Sequence, residues 1–219
     1  MIEALIFDLD NCLAPAMEIG SELYEPALKA IQDANLGTLS SSALDAAIHD
    51  IWSHPFDWVA DKHGFSVPML EAGMREFAEI ETQGPLFGYG DLSALDSFDM
   101  PLFLVTSGFR RLQESKVRAL GIVDRFQDVF VDALDEPDTR LGKKRIIQGI
   151  LDTHSYAEES IVVIGDSPHS EIKAAKELGI RSVQTLRPGV KPTPVATYRI
   201  ENLGELPALL ESLDLESLE

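Results

Sequence analysis

Two aspartates separated by a single residue, Asp8 and Asp10, stand just after an apolar run, Ala4 to Phe7. An extended backbone puts residues i and i+2 on one side, so both carboxylates reach one bound group as long as the chain stays extended there. Farther along, the run Leu102 to Val105 leads into Thr106-Ser107-Gly108. Gly142-Lys143-Lys144 precedes a helical pattern, and Ile161 to Ile164 leads into Gly165-Asp166-Ser167, with Glu171 five residues after Asp166. Carboxylates, hydroxyls and an ammonium together suit a phosphate ester, which is anionic and hydrolyses very slowly unaided. An aspartate attacking phosphorus divides that reaction into two steps through an aspartyl-phosphate. Asp8, at the end of its run, is the candidate nucleophile. Taken singly, each group has an ordinary explanation: a solvated turn, a strand-end cap, a surface lysine. The pattern gains meaning only in combination.

The elements that must position these groups are legible from the apolar spacing. Near-continuous apolar runs at Ala4 to Phe7, Leu102 to Val105, Val129 to Val131, Ile161 to Ile164 and Ser182 to Leu186 are of the kind expected in a parallel sheet covered on both faces. Helical stripes follow: Leu112, Val117 and Leu120 before Gly121, Ile146, Ile147, Ile150 and Leu151, and Ile172, Ala175 and Leu178 before Gly179. Glycine just past a stripe is a common helix ending. A last helix is expected over Leu206 to Leu218. This alternation predicts an α/β fold, a Rossmann-like doubly wound parallel sheet with right-handed crossovers. In such a sheet ligands bind at the carboxyl ends of the strands, where all the groups named above fall.

One stretch breaks the alternation. From Ala14 to Pro85 helical patterns dominate, at Tyr24 to Ala34, Ser41 to Trp52 and Pro68 to Glu81, and predict a small all-helical domain inserted after the first strand. The expected division is a core of residues 1–13 and 86–219 and a helical unit of residues 14–85. That unit has 12 acidic and 3 basic residues, a charge of −9, which a solvated outer surface explains without any partner. His49, Trp52, His54, Trp58 and His63 cluster in it and would either wall a pocket or serve as ordinary core and surface residues.

The four motifs in this order resemble the haloacid dehalogenase-like superfamily, whose members act through an aspartate nucleophile. The resemblance rests on Asp8 and Asp10 of a DxDx(T/V) motif, Thr106 closing an apolar strand, a lysine opening a helix, and Gly165-Asp166 of the last motif. It covers residue 1 to about residue 204 apart from the insertion, which looks like the family's helical cap. Carried onto these positions, the resemblance implies a phosphatase in which Asp8 attacks phosphorus. Asp10 protonates the leaving oxygen and then activates water. Lys143 stabilises charge on Asp8 and the phosphoryl oxygens, and Thr106 holds those oxygens. The family's Lys-Gly-x-apolar-apolar variant has its apolar pair three and four residues after the lysine. Lys143 fits that spacing to Ile146 and Ile147, with Lys144 as the alternative. Mg2+ is the implied cofactor, held by Asp8, Asp166 and the backbone carbonyl of Asp10, with Glu171 either orienting metal-bound water or sitting in its helix's first turn. Ser107, Gly108, Arg110 and Lys144 are the expected substrate-binding residues. The chain departs from the family at Cys12, where threonine or valine is usual; a buried structural cysteine is the favoured reading over a redox switch.

Charge and composition narrow the rest. With 18 basic and 37 acidic residues the net charge is −19, which argues against nucleic acid or an anionic membrane as partner. No apolar run reaches the ~18 residues of a spanning helix. The start of the chain lacks the pattern of a signal peptide, and one cysteine excludes an internal disulfide, so a cytoplasmic location is expected. The expected partner is a small-molecule phosphate ester; oligomeric state stays open. A phosphomutase on the same core, which keeps the phosphoryl group from water, is the alternative, along with a non-catalytic phosphate-binding role. Dehalogenation has no use for a proton donor at Asp10. A Schiff-base phosphonatase would need Lys29 or Lys62, neither in a recognisable motif. A signalling receiver domain would carry its acceptor aspartate after a middle strand and has no counterpart to the insertion.

Overall fold

The computed structural model describes residues 1–216. Its six strands form one parallel sheet: β1 (Ala4–Phe7), β2 (Leu102–Gly108), β3 (Asp128–Ala133), β4 (Ile161–Gly165), β5 (Arg181–Thr185) and β6 (Tyr198–Ile200), in the order β3-β2-β1-β4-β5-β6. The order reverses at β1, so the crevice between the ends of β1 and β4 is the switch point of a doubly wound sheet. Register brings Phe7 beside both Leu104 and Ile164, so Asp8, Thr106 and Asp166 emerge at one level.

Both faces of the sheet are covered, as the unbroken apolar strands require. On one face Leu5, Phe7, Leu104, Val162, Ile164 and Val183 pack with Val117 of α5 (Arg110–Ala119) and with Leu206, Leu210 and Leu213 of α8 (Leu206–Glu216). On the other, Ile6, Phe103, Val105 and Val163 meet Ile147, Ile150 and Leu151 of α6 (Lys143–His154) and Ala174 and Ala175 of α7 (Glu171–Leu178). α7 stops where Gly179 takes a left-handed φ of 76°, as its position past Leu178 suggests. The last two residues of the helix expected over Leu206 to Leu218 lie outside the described residues.

Between β1 and β2 the chain forms α1 (Glu25–Ala34), α2 (Ser41–Asp50), α3 (Phe56–His63) and α4 (Val67–Ala78), and among the described residues this stretch has no strand. It has its own core of Ala27, Ile31, Leu44, Ala47, Phe56, Val59, Met69 and Phe77, which meets Phe109, Leu112 and Leu134 of the α/β core. Phe77 and Phe109 stack with ring centroids 5.3 Å apart. Burying a phenylalanine is worth roughly 1.5–3 kcal/mol, so these rings dock the helical block over the start of α5. The two connections run side by side: the Glu18 carboxylate accepts hydrogen bonds from the backbone N–H groups of Phe87 (2.6 Å) and Gly88 (3.0 Å).

Two elements escaped the sequence reading. α3 is only two turns of mixed polarity, with Phe56, Val59 and Ala60 facing inward. β6 is three residues long and pairs with β5 alone, as a short protected edge does. Neither carries an apolar run long enough to stand out.

Candidate active site

The turn after β1 sets the geometry. Asp8 N–H bonds the Ile164 carbonyl (2.9 Å), which keeps the backbone extended through Asp8. Asn11 then takes a positive φ of 57°, a conformation asparagine tolerates better than most residues. Its N–H bonds the Ala14 carbonyl (2.7 Å) and its side-chain oxygen accepts from the Ala16 N–H (3.2 Å). Arg187, buried at the far end of the chain, donates to the Cys12 carbonyl (2.9 Å) and pairs with Asp91 (2.7 Å), so the loop is held from behind. Cys12 itself is buried, and burial pushes its thiol well above the ordinary 9.0, the setting of a structural cysteine rather than a reactive one.

Lys143, the first residue of α6, puts its ammonium 2.7 Å from Asp8 Oδ1 and 2.9 Å from Glu171 Oε2, with all three side chains buried. Burial alone would lower this ammonium, but the two carboxylates outweigh it and hold it charged. Lys144, the alternative, turns outward to Glu177 (2.9 Å) at the rim. Glu171 Oε1 accepts the Ser167 N–H (2.6 Å). Despite its burial, Glu171 stays below the usual carboxylate range because of Lys143 and that N–H. The glutamate fits because residue 165 is glycine: a Cβ there would stand 2.4 Å from Glu171 Cγ.

Asp8, Asp166 and Glu171 each offer an oxygen within 4.8 Å of the others. Burial, then the neighbouring carboxylates, pushes Asp8 up to about 7 against the pull of Lys143, and Asp166 up to about 8. The trio is short of positive charge. Hard oxygen donors in that state are the ligand set a small divalent cation takes, so the residues fit Mg2+. The Asp10 carboxylate stands outside the trio. It is held by Lys116 Nζ (2.9 Å to Oδ1, 3.1 Å to Oδ2) and by the Gln113 side-chain amide (2.8 Å to Oδ2).

Thr106 is buried at the end of β2, and Ser107 donates to Asp132 Oδ2 (3.3 Å). Arg110 does not reach the site. Its guanidinium is bound by Glu136 and Glu114, and its backbone N–H, the first of α5, is taken by Asp135 (3.0 Å), so the expected side-chain contact is not made. The acids on the loop after β3, out of sight of the motifs, account for this.

A cavity of about 780 Å3 opens over these groups. Its floor is Asp8, Asp10, Thr106, Ser107, Gly108, Lys143 and Asp166, and Tyr24, Trp52, His54 and Trp58 of the helical block wall its other side. The aromatic cluster of the insertion is therefore largely pocket wall; His63 instead bonds Asp50 (2.9 Å). Arg140 spans the cavity: Nε bonds the buried Asp132 (3.1 Å), and Nη1 bonds Asp57 on α3. Gln113, Lys116, Asp132 and Arg140 were not singled out from the sequence. Gln113 and Lys116 are seven and ten residues after Thr106 on one helix face, the only available signal.

The haloacid dehalogenase-like hydrolase family model matches residues 5–185, and the chain belongs to this family. The chain is 28% identical over 231 residues to a glyceraldehyde 3-phosphate phosphatase of Methanocaldococcus jannaschii, covering 97% of this chain and 99% of the relative. A protein of the same name from Methanopyrus kandleri is 26% identical over 200 residues, 85% of each chain. The crystal structure of a HAD phosphatase from Thermococcus onnurineus superposes with a TM-score of 0.63 at 21% identity, covering 95% and 98% of the two chains, and shares the fold. Phosphatases are thus among the full-length relatives of this haloacid dehalogenase-like hydrolase. No described helix is long and apolar enough to cross a membrane.

Proposed function

We propose that the protein is a Mg2+-dependent phosphatase of small phosphorylated metabolites that works through an aspartyl-phosphate on Asp8. The observation that carries this is the Lys143 ammonium 2.7 Å from Asp8 Oδ1, inside a trio of metal-competent carboxylates at the sheet's switch point. Asp8 attacks phosphorus, and Asp10 gives a proton to the departing oxygen. The resulting Asp10 carboxylate takes a proton from the water that attacks the aspartyl-phosphate, which frees phosphate and returns Asp8. Lys143 favours the anionic form of Asp8 and neutralises charge on the phosphoryl oxygens, and Thr106, Ser107 and the Gly108 backbone cradle those oxygens. Asp8, Asp166, the Asp10 carbonyl and Glu171 would hold a bound Mg2+, which would supply the charge that lets an anionic nucleophile meet an anionic phosphate. Lys144 at the rim faces the part of the substrate beyond the phosphate. The helical block serves as the cap, and its cavity wall selects the leaving group and excludes water. A reducing, cytoplasmic setting suits the single buried cysteine.

The test is phosphate release from a panel of phosphomonoesters with Mg2+ and with EDTA, beside Asp8→Asn. Glyceraldehyde 3-phosphate goes first because two relatives carry its name. Release that needs the metal and is lost in the variant is expected; wild-type rates in Asp8→Asn would overturn the mechanism. Retention of the phosphoryl group on a second sugar hydroxyl would identify a mutase instead.

A further inference from the structure

Asp10 has the hardest task in this scheme and the least support from its own strand. It sits three residues past β1, its side chain is 26% exposed, and it faces the like charges of Asp8 and Asp166. Left alone, that side chain would swing among its staggered rotamers toward water. What holds it comes from another element. Gln113 and Lys116 are three residues apart on α5 and so share a face. Lys116 is buried, and both Asp10 oxygens take its ammonium, at 2.9 and 3.1 Å. The Gln113 amide joins Asp10 Oδ2 (2.8 Å) to Thr106 Oγ1 (2.7 Å). Gln113 is itself wedged against Gly108, where a Cβ would stand 2.9 Å from its Cγ and Cδ.

We propose that Gln113 and Lys116 are positioning residues for proton transfer: together they fix the Asp10 carboxylate in one rotamer, tied to the hydroxyl of Thr106. The proposal rests on the role given to Asp10 above. A carboxylate offers about four lone-pair sites. Lys116 takes one on each oxygen and Gln113 a second on Oδ2, leaving one on Oδ1. The proton given to the departing oxygen therefore leaves from Oδ1 as the phosphorus–oxygen bond breaks. The proton taken from the attacking water returns to the same atom as the bond from phosphorus to Asp8 breaks. Lys116 stays an ammonium throughout. It offsets the repulsion of the neighbouring carboxylates, and Gln113 sets the angle. Proton transfer works over ≈ 2.6–3.2 Å, and a misplacement of about 1 Å costs on the order of 10²-fold in rate.

The test compares Gln113→Met, Lys116→Met and Lys116→Arg on two esters. One is p-nitrophenyl phosphate, whose leaving group departs without a proton; the other is the alkyl phosphate of the panel that the wild type hydrolyses fastest. Loss of positioning is expected to lower kcat/KM, which reads leaving-group departure, by about 10²-fold for the alkyl ester and much less for p-nitrophenyl phosphate, while kcat falls for both through the shared hydrolysis of the aspartyl-phosphate, and Lys116→Arg is expected to recover most of the rate. A purely structural role would depress kcat/KM for both esters equally, and that result overturns the proposal. Gln113→Met removes no charge and carries the test if Lys116→Met fails to fold. A crystal structure of Gln113→Met with Asp10 in its present rotamer would also overturn it. Asp10→Asn distinguishes the levels: if it leaves the alkyl ester at the wild-type rate, the role of Asp10 fails. If it is inactive while the Gln113 and Lys116 variants are unimpaired, only the positioning fails.

Discussion

Lys143→Met removes a single buried ammonium and keeps its length. At 2.7 and 2.9 Å, the contacts with Asp8 and Glu171 are each worth about 6 kcal/mol of Coulomb attraction at an effective dielectric of about 20, much of it offset by the cost of burying the charge. Removing one partner of such a pair costs about 3–5 kcal/mol, because the carboxylates left behind are buried and uncompensated. For a chain of 219 residues that is a fall in Tm of about 6–20 °C, at 2–4 °C per kcal/mol. Catalysis loses a charge contact to the phosphoryl oxygens as well, worth about 10²–10³ in kcat. Thermal melts with steady-state phosphate release read both quantities. Lys144→Met is the control for stability: its partner Glu177 is exposed, and removing a surface pair leaves Tm close to that of the wild type. A Lys143→Met protein with wild-type Tm and kcat would refute the reasoning, and a large effect confined to Lys144→Met would exchange the two roles.

Gly165→Ala puts a Cβ 2.4 Å from Glu171 Cγ and costs about 1–3 kcal/mol with a drop in kcat; thermal melts should show the Gly165→Ala penalty shrinking in a Glu171→Ala background, and an unperturbed Gly165→Ala would contradict the packing. Arg140→Ala strips the buried Asp132 of its cation and should cost more in urea titrations than Asp57→Ala, whose carboxylate is half-exposed and worth about 1 kcal/mol or less; the reverse order would count against the bridge. Hydrogen bonds from Lys62 and His63 hold the Asp50 carboxyl down to about 2, below its ordinary 3.8. The folded value is the lower one, so the stabilisation is present above pH 4 and lost as the pH falls toward 2. The Tm gap between wild type and Asp50→Asn should shrink over that range in melts at stepped pH, and a constant gap would refute the pairing.

The sequence by itself carried five of the six strands and the four motifs. Both follow from short-range rules: apolar runs such as Ile161 to Ile164 mark strands covered on both faces, and Asp8, Thr106 and Asp166 stand at strand ends, where α/β sheets bind ligands. Proximity it could not carry. Lys143 and Lys144 differ by one residue in the chain but by about 100° around a helix, and only packing against α7 decides that Lys143 meets Asp8 while Lys144 meets Glu177. Arg110, close to Thr106 in sequence, is captured by Glu136 from a loop 26 residues away. The hold on Asp10 spans 103 and 106 residues and shows in the sequence only as a glutamine and a lysine on one helical face. Spacing fixes what neighbours along the chain can do, but pairing among buried charges is settled by tertiary structure, because each buried charge must find its counter-ion wherever the fold delivers one.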